Sequence, residues 1–172
     1  ILSGGRAYFG IGAAWYEEEA IGNGIPYPST SERFEQLEDS LKLAKVLWNS
    51  DETSFVGKHF SAPAITNNPR PLSNPHPRIM IGGTGPNKTL RMVAQYADAG
   101  NIGDWNGTEN MQKALDDIKR HCDALGRDYD SIEKTCLCTV NLSVKDTVGS
   151  AISRIKELSA MGFSHAIFNM PD

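Results

Sequence analysis

Short apolar runs alternate with stretches whose apolar residues recur every three or four positions, and this alternation constrains the fold more than any other feature of the chain. A brief apolar run bounded by turn residues reads as a buried strand; the longer recurrence reads as an amphipathic helix lying over it. In the order strand, helix, strand, helix, the two patterns specify βα units around a parallel sheet, an α/β fold. Residues 7–12, 78–82, 99–102, 136–142 and 165–170 are the expected strands. Phe34, Leu37, Leu41, Ala44 and Trp48 mark a first helix opened by the capping box Ser29-Thr30-Ser31-Glu32. Leu90, Val93, Ala94 and Ala97 mark a second, with Gly85 and Pro86 suited to its N-cap and first position. Met111, Leu115, Ile118, Cys122 and Leu125 form the stripe of a third, ending at Gly126, and Val148, Ile152, Ile155 and Leu158 mark a fourth, ending near Gly162.

At 172 residues the chain suits either a small complete α/β domain or a piece of a larger one. A full (β/α)8 barrel takes about 250 residues, roughly 31 per unit, so this length holds between five and six units. The chain opens on Ile1 and stops at Asp172 directly after a strand pattern, so both ends read as cut. One stretch breaks the rhythm. Residues 51–77 show no helical pattern and carry Pro63, Pro69, Pro71, Pro75 and Pro77, with a small hairpin expected at 55–60 and its turn at Gly57-Lys58. A connection this long is expected to be a lid or binding loop.

Seventeen basic and 21 acidic residues, mixed along the chain, give a net charge of −4 and no basic stripe, which argues against nucleic acid. No apolar stretch is long enough to span a bilayer. Cys122, Cys136 and Cys138 make no metal-type set with His59, His76, His121 and His165, so free buried thiols in a reducing, cytoplasmic setting are expected and no metal site. Arg120-His121 and Arg127-Asp128-Tyr129-Asp130 flank a helix end and read as a solvated face.

Two segments could carry chemistry. Gly10-Ile11-Gly12-Ala13-Ala14-Trp15 ends the first strand; Trp15 stands where a dinucleotide fingerprint needs its third glycine, so that match fails. Gly12, Ala13 and Ala14 would still let a flat ligand approach the backbone at a strand's carboxyl end, or simply fit a tight turn. The second segment, Ile79-Met80-Ile81-Gly82-Gly83-Thr84-Gly85-Pro86, runs from a buried strand through a glycine loop into a helix, which reads as an anion site with phosphate its natural guest, or as an ordinary glycine turn. A Walker A loop is disfavoured, because Asn87 replaces its second glycine and Pro86 removes an amide. Glu17, Glu18 and Glu19 read as surface residues complementing a helix dipole, and no Ser, Cys or Thr has the setting of an activated nucleophile.

In combination these motifs resemble the luciferase-like monooxygenase superfamily, and within it the coenzyme F420-dependent oxidoreductase branch. The resemblance rests on Ser3-Gly4-Gly5-Arg6 with Gly10 to Trp15, Glu17-Glu18-Glu19, Arg33-Phe34-Glu35-Gln36-Leu37-Glu38 and Phe55-Val56-Gly57-Lys58-His59-Phe60. It continues through Pro75-His76-Pro77-Arg78 with Ile79 to Gly83, Thr89-Leu90-Arg91, Tyr96-Ala97-Asp98, and the segment from Arg120 to Tyr129. It implies a (β/α)8 TIM barrel of the bacterial luciferase type, of which residues 1–172 form a single incomplete domain holding about strands four to eight, with the 51–77 insertion. It further implies Gly12, Ala13 and Ala14 near the ring system of the cofactor, and Gly82, Gly83, Thr84 and Gly85 near its phosphate. Many relatives read Gly-Ala-Gly-Trp where this chain has Gly12-Ala13-Ala14-Trp15, so the extra methyl of Ala14 narrows that approach.

The implied function is an oxidoreductase transferring a hydride between coenzyme F420 and a small organic substrate, with the 51–77 insertion as substrate cover. An FMN-dependent monooxygenase of the same family is the near alternative. An inactive truncated fragment or phosphate-binding remnant is the alternative of another class, since an open sheet edge invites association and makes a homo-oligomer conceivable. No catalytic acid or base is assigned.

Overall fold

The βα alternation is realised in the computed structural model, which describes residues 1–49, 53–142 and 146–169. The chain divides into two compact units, Ile1–Arg78 and Ile79–Asp172. The expected last strand residue, Met170, and the opening residue of the insertion, Asp51, lie outside the described residues.

In the first unit, β1 (Tyr8–Ile11) leads to a short helix α1 (Glu17–Gly22) and the long helix α2 (Thr30–Asn49). Glu17, Glu18 and Glu19 form the first turn of α1, where carboxylates complement the positive end of the helix dipole. Ser29 caps α2 through its hydroxyl, which accepts from the Glu32 amide at 3.3 Å. Leu37, Leu41 and Ala44 bury the inner face of α2. Trp48 closes its far end, with Phe9 edge-on at 5.3 Å and the His76 ring stacked on it at 5.4 Å. The expected hairpin is present as β2 (Thr53–Val56) paired antiparallel with β3 (Ser61–Ile65), its turn spanning residues 57–60 rather than Gly57-Lys58 alone. Its register shifts between Thr53 and Phe55, opposite the stretch holding Pro63, which has no N–H to offer a ladder.

In the second unit, β4 (Arg78–Gly82), α3 (Thr89–Tyr96), β5 (Ala99–Gly103), α4 (Thr108–Leu125), β6 (Glu133–Thr139), α5 (Val148–Ala160) and β7 (His165–Asn169) follow in turn. The strands are parallel and lie in the sheet in chain order, β4-β5-β6-β7. Strand order that never reverses is the winding of a barrel wall rather than of a doubly wound sheet. Ile79, Ile81, Ile102, Cys136 and Cys138 from the strands and Leu90, Val93, Ala94, Met111, Leu115, Ile118 and Cys122 from α3 and α4 form the core. Gly126 ends α4 in the left-handed conformation, as the sequence anticipates.

Asp98 sets the register of three strands at once. Its carboxylate accepts from the Ile79 amide at 2.8 Å, its own amide donates to the Ile79 carbonyl at 2.8 Å, and its carbonyl accepts from the Glu133 amide at 2.9 Å.

Several expectations need correction. Helix α3 begins at Thr89, not beside Gly85 and Pro86, because the chain leaves β4 with Gly83 at φ +120° and makes a turn over residues 86–88 first. Strand β6 is Glu133–Thr139 rather than 136–142: the Asp98 carbonyl starts it early, and the Asp146 carboxylate, accepting from the Asn141 amide at 2.8 Å, turns the chain away after it. Val148, Ile152 and Ile155 are exposed at 66%, 47% and 42%, and only Leu158 of that stripe is buried. Arg154, on the Leu158 side of α5, reaches Asp104 at 2.6 Å, so this side and not the 148-152-155 stripe faces the rest of the unit. Arg127 is not on a solvated face: its guanidinium donates to the Ala94 and Ala97 carbonyls at 3.0 and 2.7 Å and caps the end of α3.

Replacing Asp98 by Ala leaves the buried Ile79 amide without its acceptor and is expected to cost about 1–3 kcal/mol. A urea unfolding midpoint lowered at unchanged slope checks this; an unchanged midpoint contradicts the register role.

Candidate functional site

The glycine loop after β4 is built to expose backbone. Gly82 pairs with Asn101 in the β4–β5 ladder, and the Gly83 amide donates to the Asn101 carbonyl at 3.0 Å. Beyond that point the amides of Thr84, Gly85 and Asn87 have no acceptor among the described residues. The loop lies down on the first residue of α3: a Cβ at Gly83 would stand 3.2 Å from the Thr89 methyl, and one at Gly85 would stand 2.9 Å from the Thr89 hydroxyl. Gly83 combines that close approach with a φ of +120°, which L side chains rarely adopt. From α4, His121 Nε2 donates to the Pro86 carbonyl at 2.7 Å and braces the far side of the loop. Solvent-facing amides ahead of the positive end of α3 fit an anionic group such as phosphate.

In the first unit, the turn after β1 holds the other three predicted residues. A Cβ placed on Gly12 would meet nothing within 4 Å, so the space above that backbone is open. Ala14 has φ +57°, and among the described residues it is the one non-glycine residue in the left-handed region. That conformation costs an L residue about 1–2 kcal/mol, so the methyl noted in the sequence acts first on the backbone. Arg33 from α2 secures the turn, its Nε donating to the Ala13 carbonyl at 3.0 Å. Trp15, 87% exposed, stacks on Tyr16 at 5.3 Å immediately beyond.

The insertion is clipped to α2 by carboxylates that sequence reasoning missed. Asp39, 5% exposed, accepts from the amides of His59 and Phe60 at 2.7 and 3.4 Å. Glu35 meets His59 Nε2 at 2.9 Å and Lys58 Nζ at 2.7 Å. Those two partners, Lys58 foremost, hold the Glu35 carboxyl below its ordinary range. The helical spacing of Glu35 and Asp39 is the one signal the sequence offered, and it says nothing of the hairpin they bind.

The three cysteines are free and buried. Burial, aided by the neighbouring Cys138 thiol at 3.6 Å, pushes Cys136 up to about 12, and burial raises Cys122 and Cys138 as well. Thiols held protonated at neutral pH pack as small apolar groups and are not nucleophiles. Among the described residues no group of three His, Cys, Asp or Glu side chains could hold a metal ion, and no helix is long and apolar enough to cross a membrane.

A family model described as luciferase-like monooxygenase matches residues 1–168. The chain belongs to this family. Its fold is part of the family's (β/α)8 barrel: it superposes on an F420-dependent secondary alcohol dehydrogenase, solved with an F420-acetone adduct, with a TM-score of 0.80 at 16% identity, covering 98% of this chain and 66% of that one. A second solved structure, the coenzyme F420-dependent tetrahydromethanopterin reductase of Methanopyrus kandleri, gives a TM-score of 0.76 at 13% identity over 99% of this chain and 71% of that one. Among curated proteins, an F420-dependent glucose-6-phosphate dehydrogenase of Amycolatopsis mediterranei is 30% identical over 142 residues, 78% of this chain and 40% of that protein. An FMNH2-dependent dimethylsulfone monooxygenase of Pseudomonas putida is 28% identical over 125 residues, 73% of this chain and 34% of that protein. The luciferase-like chain thus spans less than half the length of these two curated relatives.

A Cβ at Gly57 would run into the Asp39 carboxylate, so Gly57→Ala is expected to dislodge the hairpin turn at a cost of about 1–3 kcal/mol. Faster protease cleavage within residues 57–60 checks this, and cleavage at the native rate would show that the clip does not hold the hairpin.

Proposed function

We propose that this chain serves an oxidoreductase in which coenzyme F420 exchanges a hydride with a small organic substrate. The observation that carries the reading is the loop at residues 82–87, whose amides at Thr84, Gly85 and Asn87, without an acceptor among the described residues, suit a cofactor phosphate. Two kinds of relative named for F420, one by sequence and one by fold, support this choice of cofactor.

In this reading Gly82, Gly83, Thr84 and Gly85 form the phosphate cradle, with Thr89 and His121 fixing its shape from beneath and from the side. Gly12, Ala13 and Ala14 offer their backbone to the flat ring system, where the absence of a side chain on Gly12 leaves room. The hairpin from Thr53 to Ile65, clipped to α2, serves as a cover that limits water at the substrate. When bound, the deazaflavin supplies the hydride chemistry; the protein's part is to bind, orient and exclude water. No proton transfer is assigned to a residue of this chain.

A second reading, an FMN-dependent monooxygenase, is favoured by the Pseudomonas putida relative. Titrating the purified chain with F420 and with FMN, followed by cofactor absorbance and fluorescence, separates the two. F420 is expected to bind saturably and about tenfold or more tighter than FMN, with Gly83→Ala weakening it about tenfold. Saturable binding of FMN alone would overturn the F420 assignment in favour of the second reading, and binding of neither would overturn both.

A further inference from the structure

We propose that Arg33 is a positioning residue for the turn at residues 12–14, holding Ala14 in a conformation that would otherwise call for glycine. The proposal rests on the cofactor reading only for its functional consequence; the clamp itself is a property of the first unit.

Ala14 is exposed, so packing does not force it into the left-handed region, and L residues populate that region rarely. The constraint comes from the preceding peptide plane. The Ala13 carbonyl belongs to the same rigid plane as the Ala14 amide nitrogen. Rotation between that plane and the Ala14 Cα is the φ angle of Ala14. The bond to the Ala13 carbonyl fixes one side of that torsion, and the bond from the same guanidinium to the Pro28 carbonyl fixes where the segment beyond Ala14 must return, so the two together restrict the angle that is unusual here.

Arg33 supplies that bond from a guanidinium that cannot swing. Its Nε donates to the Ala13 carbonyl at 3.0 Å, Nη1 donates to the Pro28 carbonyl at 2.6 Å, and Nη2 donates to the Thr30 hydroxyl at 3.3 Å. The Tyr27 ring lies under the charge, 4.0 Å from ring centre to guanidinium carbon. Four contacts around one planar fork define a single orientation, which a lysine ammonium on a flexible stem does not reproduce. They use three of its five N–H groups and fix its plane against the turn, and it is through the turn that Arg33 acts on a bound ligand.

The test is a cycle of Arg33→Met, Ala14→Gly and the double variant, with Arg33→Lys beside them as a change that keeps the charge. Two measurements are made on each: the backbone torsion of residue 14 by NMR couplings without cofactor, and F420 affinity by fluorescence. Arg33→Met and Arg33→Lys are each expected to move Ala14 out of the left-handed region and to weaken F420 about tenfold. In the Ala14→Gly background the same Arg33 change is expected to cost less than about twofold, because glycine takes the left-handed turn unaided. A φ at Ala14 that stays positive in Arg33→Lys would overturn the clamp, as would an equal loss of F420 in both backgrounds. Should the parent chain bind no F420, the cofactor reading fails while the torsion measurement still decides the clamp.

Discussion

One aspartate fixes the second unit. Asp98 stands between α3 and β5, and from the position just before β5 it binds Ile79 of β4 through its carboxylate and amide and Glu133 at the start of β6 through its carbonyl. Parallel strands have no hairpin to set their register, and a slip of one residue turns every side chain to the opposite face. With Ile79 anchored to Asp98, Met80 faces Ala99 and Gly82 faces Asn101. The glycine loop therefore emerges where the Asn101 carbonyl can take the Gly83 amide, while the amides of Thr84, Gly85 and Asn87 have no acceptor among the described residues.

Both segments proposed to face the cofactor present backbone, with side chains serving as braces. Thr89 and His121 shape the loop at residues 82–87, and Arg33 shapes the turn at residues 12–14. Fixed backbone amides suit a phosphate and an open backbone suits a flat ring, since neither must be reorganised when the ligand arrives. Among the described residues, burial in the core pushes the Cys136 thiol up to about 12, which keeps it protonated at neutral pH.

The parts of this arrangement legible in the sequence are those encoded by neighbours in the chain. The stripe from Met111 to Leu125 and its Gly126 cap, the Ser29 cap and the hairpin around Gly57 all follow from local spacing. Parts that depend on a partner far along the chain were not legible. Asp98 reads as a polar residue after a helix until Ile79 and Glu133 are beside it, and Arg127 reads as a surface cation until the carbonyls of α3 are within reach. The stripe of α5 is legible as helix but not as to which side faces inward, because the inward side is marked by the contact of Arg154 with Asp104, far away in the chain. The glycine loop was found by its composition, whereas the turn that delays α3 to Thr89 depends on the torsion of Gly83.

The central claim is that the exposed amides after β4 are a phosphate cradle. Amide NMR of the nitrogen-15-labelled chain during addition of F420 tests it most directly, residue by residue. The account predicts that the resonances of Thr84, Gly85 and Asn87 move together as the cofactor saturates. Saturation that leaves the three loop amides in place and shifts resonances elsewhere would contradict it.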